Sequence, residues 1–219
     1  MFYLVGISGE NGVGKTTLAQ QIVGFSDFLG TEAIHESFAT PIRYAARALG
    51  FSTQYGKKDT DKITLDAKHV YHTVYSVLIS DYCFLDTADA YACALKTLYA
   101  LGGHDFLSGG GSVLPECTCR DFMIAFGEAC KKHNKNIWLE ALIDRIIATG
   151  KHNCLVILDD VRFCNEAKMC DKVINLIDCS KEVPVIFDKD LADRFDIELD
   201  VNDPGLLEKV LKFLEYKLV

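Results

Sequence analysis

Positive charge is scarce in this sequence. Lysine and arginine number 23 against 31 aspartates and glutamates, a formal net charge of −8. Binding a polyanion across a broad surface is therefore not expected, and any anion must be met in a local basic pocket. No stretch has the length or apolar purity of a membrane span, and no basic region followed by an apolar core opens the sequence. Neither a membrane segment nor a secretory leader is expected. The nine cysteines contain no C-x-x-C. Cys117 and Cys119 stand two apart, too isolated for a familiar zinc pattern, so reduced thiols serving as small apolar residues in a cytoplasm are expected. What is present is ordinary for a globular enzyme: 219 residues, 49% apolar and 25% charged. That is enough for one substantial core with a lid or insertion, without a second domain.

The most specific stretch is Gly9-Glu10-Asn11-Gly12-Val13-Gly14-Lys15-Thr16. It fills the template G-x-x-x-x-G-K-[ST] at every fixed position. Glycines allow a tight turn and close approach, so that successive N–H groups point at phosphate oxygens. Lys15 supplies a charge that reaches the outer phosphates, and the Thr16 hydroxyl suits Mg²⁺, a hard cation that wants oxygen. Phe2 to Ile7 reads as a buried strand and Thr17 to Val23 as a helix, whose positive end faces the same anion. A Gly-rich turn with a chance lysine would explain the loop alone, but not its flanks.

Farther on, Ala33 to Ser37 reads as a second strand, weakened by His35 and Glu36. Thr40 as cap, Pro41 in the first turn and Gly50 as stop define a helix. Arg43 falls in its first turn, where a positive charge opposes the helix dipole; an anionic ligand would supply the reason, and a solvated arginine is the alternative. From about 51 to 117 the sheet-like rhythm is lost. Lys57 to Lys62 reads as a solvated loop, Val70–Leu85 and Ala88–Leu101 as helices, and Gly102 to Ser112 as flexible by composition. The region is expected to be a helical insertion within a single domain, 1–219. Helices Arg120–Lys132 and Ile137–Thr149 follow, the second with Trp138 near its start. Cys154 to Leu158 is a wholly apolar run that suits a central parallel strand, and Asp159-Asp160 ends it in the crevice where α/β sheets bind ligands. The acid pair serves either metal control or a helix cap. Asn165–Met169 reads as a short helix, Lys172–Ile177 as a strand, Ser180–Arg194 as a loop and Asp196–Val201 as an edge strand. Asn202 or Asp203 then caps a last amphipathic helix.

Strand–helix alternation implies a parallel sheet between helices. A triphosphate with Mg²⁺ is implied, but such a loop serves kinases, motors, switches and binders alike. The chain is small for a motor and lacks the N-K-x-D of switch GTPases. Arg43, Arg120 and Arg162, at first turns or a strand end, would clamp phosphate oxygens, which is most of what phosphoryl transfer requires.

Several segments carry a resemblance to a known family. Ile7 to Thr17, Phe38-Ala39-Thr40-Pro41-Ile42-Arg43, Arg120-Asp121-Phe122-Met123 with Phe126-Gly127 and Trp138, Asp160-Val161-Arg162-Phe163-Cys164-Asn165-Glu166, and Asp200-Val201-Asn202-Asp203 together resemble the phage-type deoxynucleoside monophosphate kinases. These are a branch of the P-loop nucleoside monophosphate kinases. The resemblance leaves out most of the 51–117 region, and Ile124 and Cys170-Asp171 depart from the family's glutamine and Gly-Gly. It implies a three-layer P-loop NTPase α/β fold with a central, mostly parallel sheet flanked by helices and a helical lid. It also implies ATP-dependent phosphorylation of deoxynucleoside monophosphates in a host cytoplasm. Gly9, Asn11, Gly12, Val13, Gly14, Lys15, Thr16 and Thr17 would hold ATP. Thr16 and Asp160 would serve the metal, Asp160 alternatively organising the acceptor phosphate. Arg43, Arg120, Trp138, Asp160 and Arg162 would bind the acceptor, with Lys15, Arg120, Asp160 and Arg162 as the catalytic set. Partners are then small nucleotides, with no nucleic acid or membrane, and with a homodimer left open. A kinase for another phosphate-bearing acceptor, or a nucleotide-binding regulator, are the competing readings.

Overall fold

A computed structural model describes residues 2–51, 61–80, 85–109, 113–180 and 189–218. Most of the charged run at 57–62, the glycines at 110–111 and the greater part of the 180–194 loop lie outside the described residues. The chain divides into two compact units, residues 1–38 with 150–219, and residues 39–149. The segment read as an insertion, 51–117, lies within the second unit.

The first unit is an α/β sheet flanked by helices. Its strands are β1 (Phe2–Gly9), β2 (Ala33–Glu36), β5 (Cys154–Leu158), β6 (Lys172–Ile177) and β7 (Ile197–Asp200), in the order β2-β5-β1-β6-β7. Every pairing is parallel. The interior strand β5, between β2 and β1, is buried along its whole length, which is why its sequence shows no polar alternation. Helices α1 (Lys15–Gly24) and α8 (Leu206–Leu218) pack on one face. The core there joins Val5, Ile7, Leu18, Ile22, Ala33, Leu155, Ile157 and Leu214. The opposite face is closed near β1 by the chain after β5: a β-carbon on Gly6 would stand 2.7 Å from Val161 Cγ2 and 2.8 Å from Cys170 Sγ. The short helix α7 (Cys164–Ala167) lies in that stretch.

The second unit is helical: α2 (Thr40–Ala48), α3 (Ala67–Ile79), α4 (Thr87–Ala100), α5 (Cys119–Lys131) and α6 (Ile137–Ala148). A two-stranded antiparallel ribbon of β3 (Lys62–Ile63) and β4 (Cys117–Thr118) accompanies them. Its core is aromatic. Phe51 stacks on Phe122 at 5.7 Å between centroids, and Phe126 meets Trp138 edge-on at 5.5 Å. Asp66 and Asp86 cap α3 and α4, and Thr118 with Asp121 forms a capping box on α5. Thr40 does not cap α2; the cap position is Ala39, without a side-chain bond, and Thr40 opens the first turn ahead of Pro41. The last helix is regular from Leu206, and Asp203 Oδ1 accepts the Gly205 N–H in the turn that leads into it. Among the described residues, no helix is long and apolar enough to cross a membrane.

Candidate functional site

Parallel pairing opens the carboxyl ends of β1, β2 and β5 on one edge of the sheet. Three segments meet there: the loop after β1, Ser37-Phe38 after β2, and Asp159 to Arg162 after β5.

The loop after β1 has the backbone its glycines predict. Gly9 takes φ 136°, and a β-carbon there would stand 2.3 Å from the Leu176 carbonyl oxygen of β6. Gly14 caps α1 in the left-handed region, φ 99° and ψ 12°. No side chain caps α1 and no acid stands in its first turn, so its positive end is directed at the loop. Lys15 is 8% exposed. Its ammonium folds back over the loop, donating to the Gly9 carbonyl at 2.8 Å and the Glu10 carbonyl at 2.5 Å.

The two acids after β5 separate by strand parity. Successive side chains along a strand point to opposite faces. Leu155 and Ile157 belong to the core under α1, and Asp159 continues that series. The Thr16 hydroxyl, in the first turn of α1, donates to Asp159 Oδ2 at 2.5 Å. His35, opposite Ile157 on β2, brings Nε2 to 3.1 Å from the same oxygen, close but without hydrogen-bond alignment. Asp160 does something else. Its Oδ2 accepts from the Ser37 hydroxyl at 2.5 Å and its Oδ1 from the Phe38 N–H at 2.9 Å, pinning the chain where it leaves β2. The carboxylate beside the Thr16 hydroxyl is thus that of Asp159, and Asp160, expected beside it, turns to the chain leaving β2. Asp159 and Asp160 are 2% and 5% exposed, and the following helix α7 has Phe163 at its cap position, so the acids are not its N-cap pair.

Arg162 is oriented by Glu166, whose Oε2 accepts the Arg162 N–H at 2.8 Å and the Phe163 N–H at 3.1 Å. The guanidinium donates from Nη2 to Asn11 Oδ1 at 3.3 Å, tying it to the loop. Cys170, under the sheet beside Gly6, has its thiol pushed up to about 12, chiefly by burial and then by the carboxylate of Glu166.

Asn11, Lys15, Thr16, Asp160 and Arg162 thus come together in the first unit, joined by Asp159 and His35. Arg43, Arg120 and Trp138 belong to the second unit. Arg43 stands at the end of the first turn of α2 and Arg120 is the second residue of α5, as their spacing predicts. Trp138 is 5% exposed with its indole in the aromatic core, and Nε1 has no hydrogen-bond partner among the described residues.

The donors beside the loop fit Mg²⁺. A hydroxyl and a carboxylate are hard oxygens, and Mg²⁺ takes one or two such protein ligands together with substrate phosphates and water. Among the described residues, no cluster of three or more His, Cys, Asp or Glu is arranged to hold a metal ion. The sequence matches no known protein-family model, and no curated protein is similar enough to count as a relative.

Proposed function

We propose that the chain is an ATP-dependent phosphotransferase that converts deoxynucleoside monophosphates to diphosphates. The observation that carries the reading is the row Lys15, Thr16 and Asp159 along the glycine loop, with Arg162 tethered to Asn11 at its rim. The loop N–H groups and the end of α1 receive the triphosphate. Lys15 exchanges its two carbonyl acceptors for β- and γ-phosphate oxygens, so the ammonium is already desolvated and aimed. Thr16 and Asp159 would hold Mg²⁺, which would neutralise charge on the β- and γ-phosphates. Arg162, with its backbone clamped by Glu166, presents a planar fork of donors to the transferring group. An acceptor that is itself a phosphate is anionic near neutral pH and needs no strong base. That is why a guanidinium group suffices as an acceptor contact; Arg43 and Arg120 come to this role only from the family resemblance. Asp160 holds Ser37 and Phe38 where the chain leaves β2.

The restriction to deoxynucleotides rests on the resemblance of Phe38 to Arg43 and Asp160 to Glu166 to the phage-type kinases. The test is a coupled assay of acceptor-dependent ADP release across the four deoxy- and four ribonucleoside monophosphates, with metabolite phosphates alongside. Release with one or more deoxynucleotides supports the proposal. Release only with another phosphate acceptor moves the chain to a different kinase. Tight ATP binding with no acceptor-dependent release makes it a regulatory binder.

A further inference from the structure

His35 was notable in the sequence only as a polar residue weakening a strand. Its place in the sheet gives it a second meaning. On β2 it sits opposite Ile157, in the same parity series as Ala33, which faces the core beneath α1. That series carries its imidazole to the end of β5, where Nε2 lies 3.1 Å from Asp159 Oδ2. The same oxygen accepts the Thr16 hydroxyl at 2.5 Å. The ring is partly exposed, with 25% of the side chain reachable, while Nε2 itself is buried and lacks an aligned partner. A buried polar atom left with an imperfect bond carries a desolvation cost. Such local costs collect at functional sites, where a group is held for what it does rather than for stability. An apolar residue at this position would continue the core without that cost.

We propose that His35 is a positioning residue for Asp159, bracing its carboxylate from the β2 side while Thr16 bonds it from α1. The inference rests on the reading of Thr16 and Asp159 as the magnesium-bearing pair. Groups that orient a ligating carboxylate typically contribute about 10–100-fold in metal affinity. Because this contact is imperfectly aligned, the lower end is expected.

The experiment is binding of ATP to the full chain, followed by calorimetry during a magnesium titration and again in chelator, for wild type, His35→Ala and His35→Gln. The expected result is that His35→Ala raises the Mg²⁺ concentration at half-maximal enhancement of ATP binding about tenfold. Metal-free ATP affinity should stay within about twofold, and His35→Gln, which retains an N–H donor, should recover part of the loss. Unligated melting temperatures are measured in parallel. An unchanged magnesium dependence in His35→Ala overturns the inference while leaving the nucleotide site standing. Equal losses with and without Mg²⁺ also overturn it, because they report damage to the loop or fold. Wild-type binding of ATP with no response to Mg²⁺ overturns both this inference and the site reading beneath it.

Discussion

At Gly9 the backbone leaves β1 with φ 136°, and the nearest neighbour of an added β-carbon is backbone, the Leu176 carbonyl oxygen at 2.3 Å. Backbone cannot swing aside as a flexible side chain can. Gly9→Ala is therefore expected to cost more than about 1 kcal/mol, from steric clash and the unfavourable φ together. Denaturant unfolding of the variant checks this; a midpoint equal to wild type would show that the loop relaxes freely. The two neighbouring acids should also part company in solution. Asp159→Asn weakens the magnesium enhancement of ATP binding, whereas Asp160→Asn leaves that enhancement intact and acts through the Ser37-Phe38 segment. Magnesium titrations of the two variants decide it, and equal effects would contradict the division of labour. At Cys170 the thiol is held up to about 12 by burial. With only about one thiolate in 10⁴ at pH 8, alkylation of Cys170 in the native protein should be negligible and rise with pH. Peptide mapping after iodoacetamide treatment reads this directly.

At the scale of elements, α5 tests how far local signals hold the helices. Thr118 Oγ1 accepts the Asp121 N–H at 3.1 Å, and Asp121 Oδ2 accepts from the Thr118 N–H at 3.0 Å and its hydroxyl at 2.8 Å. Thr118→Ala should cost about 1 kcal/mol in chemical unfolding. The Asp121 carboxyl is held below its usual range, first by the bond from the Thr118 backbone N–H. A depressed folded-state value means its contribution is complete above the unfolded value and fades as pH drops through the folded one. The stability gap between wild type and Asp121→Ala should therefore narrow as pH falls from about 5 to about 2. A gap independent of pH would show that the box is not electrostatic in origin. Elements with strong local signals were legible in the sequence. The run Cys154 to Leu158 and the glycine template before Lys15 needed nothing beyond local composition. The start of α2 was not, because Thr40 is a plausible cap until the preceding turn is seen to place Ala39 there.

For the whole molecule, the obstacle to reading the site was distance along the chain. Thr16 and Asp159 are 143 residues apart, and only the pairing of β1 with β5 brings their elements together. The buried run before Asp159 is apolar on both faces, so it carries no parity by which Asp159 could be told from Asp160. His35 was the missed signal, a polar residue in the series that Ala33 opens toward the core. The α/β class followed from alternation of strands and helices; the division into a sheet unit and a helical unit at 39–149 did not, because the helical signals of α2, α5 and α6 resemble those of any sheet-flanking helix.

The measurement closest to the central claim is transfer of a labelled γ-phosphate from ATP to deoxynucleoside monophosphates, with Mg²⁺, by wild type and Lys15→Ala. Labelled diphosphate from wild type, reduced by about 100-fold or more in Lys15→Ala with the fold retained, is the result expected when a buried charge that stabilises the transferring phosphate is removed. Label that stays on ATP in the presence of every acceptor, or undiminished transfer by Lys15→Ala, would contradict it.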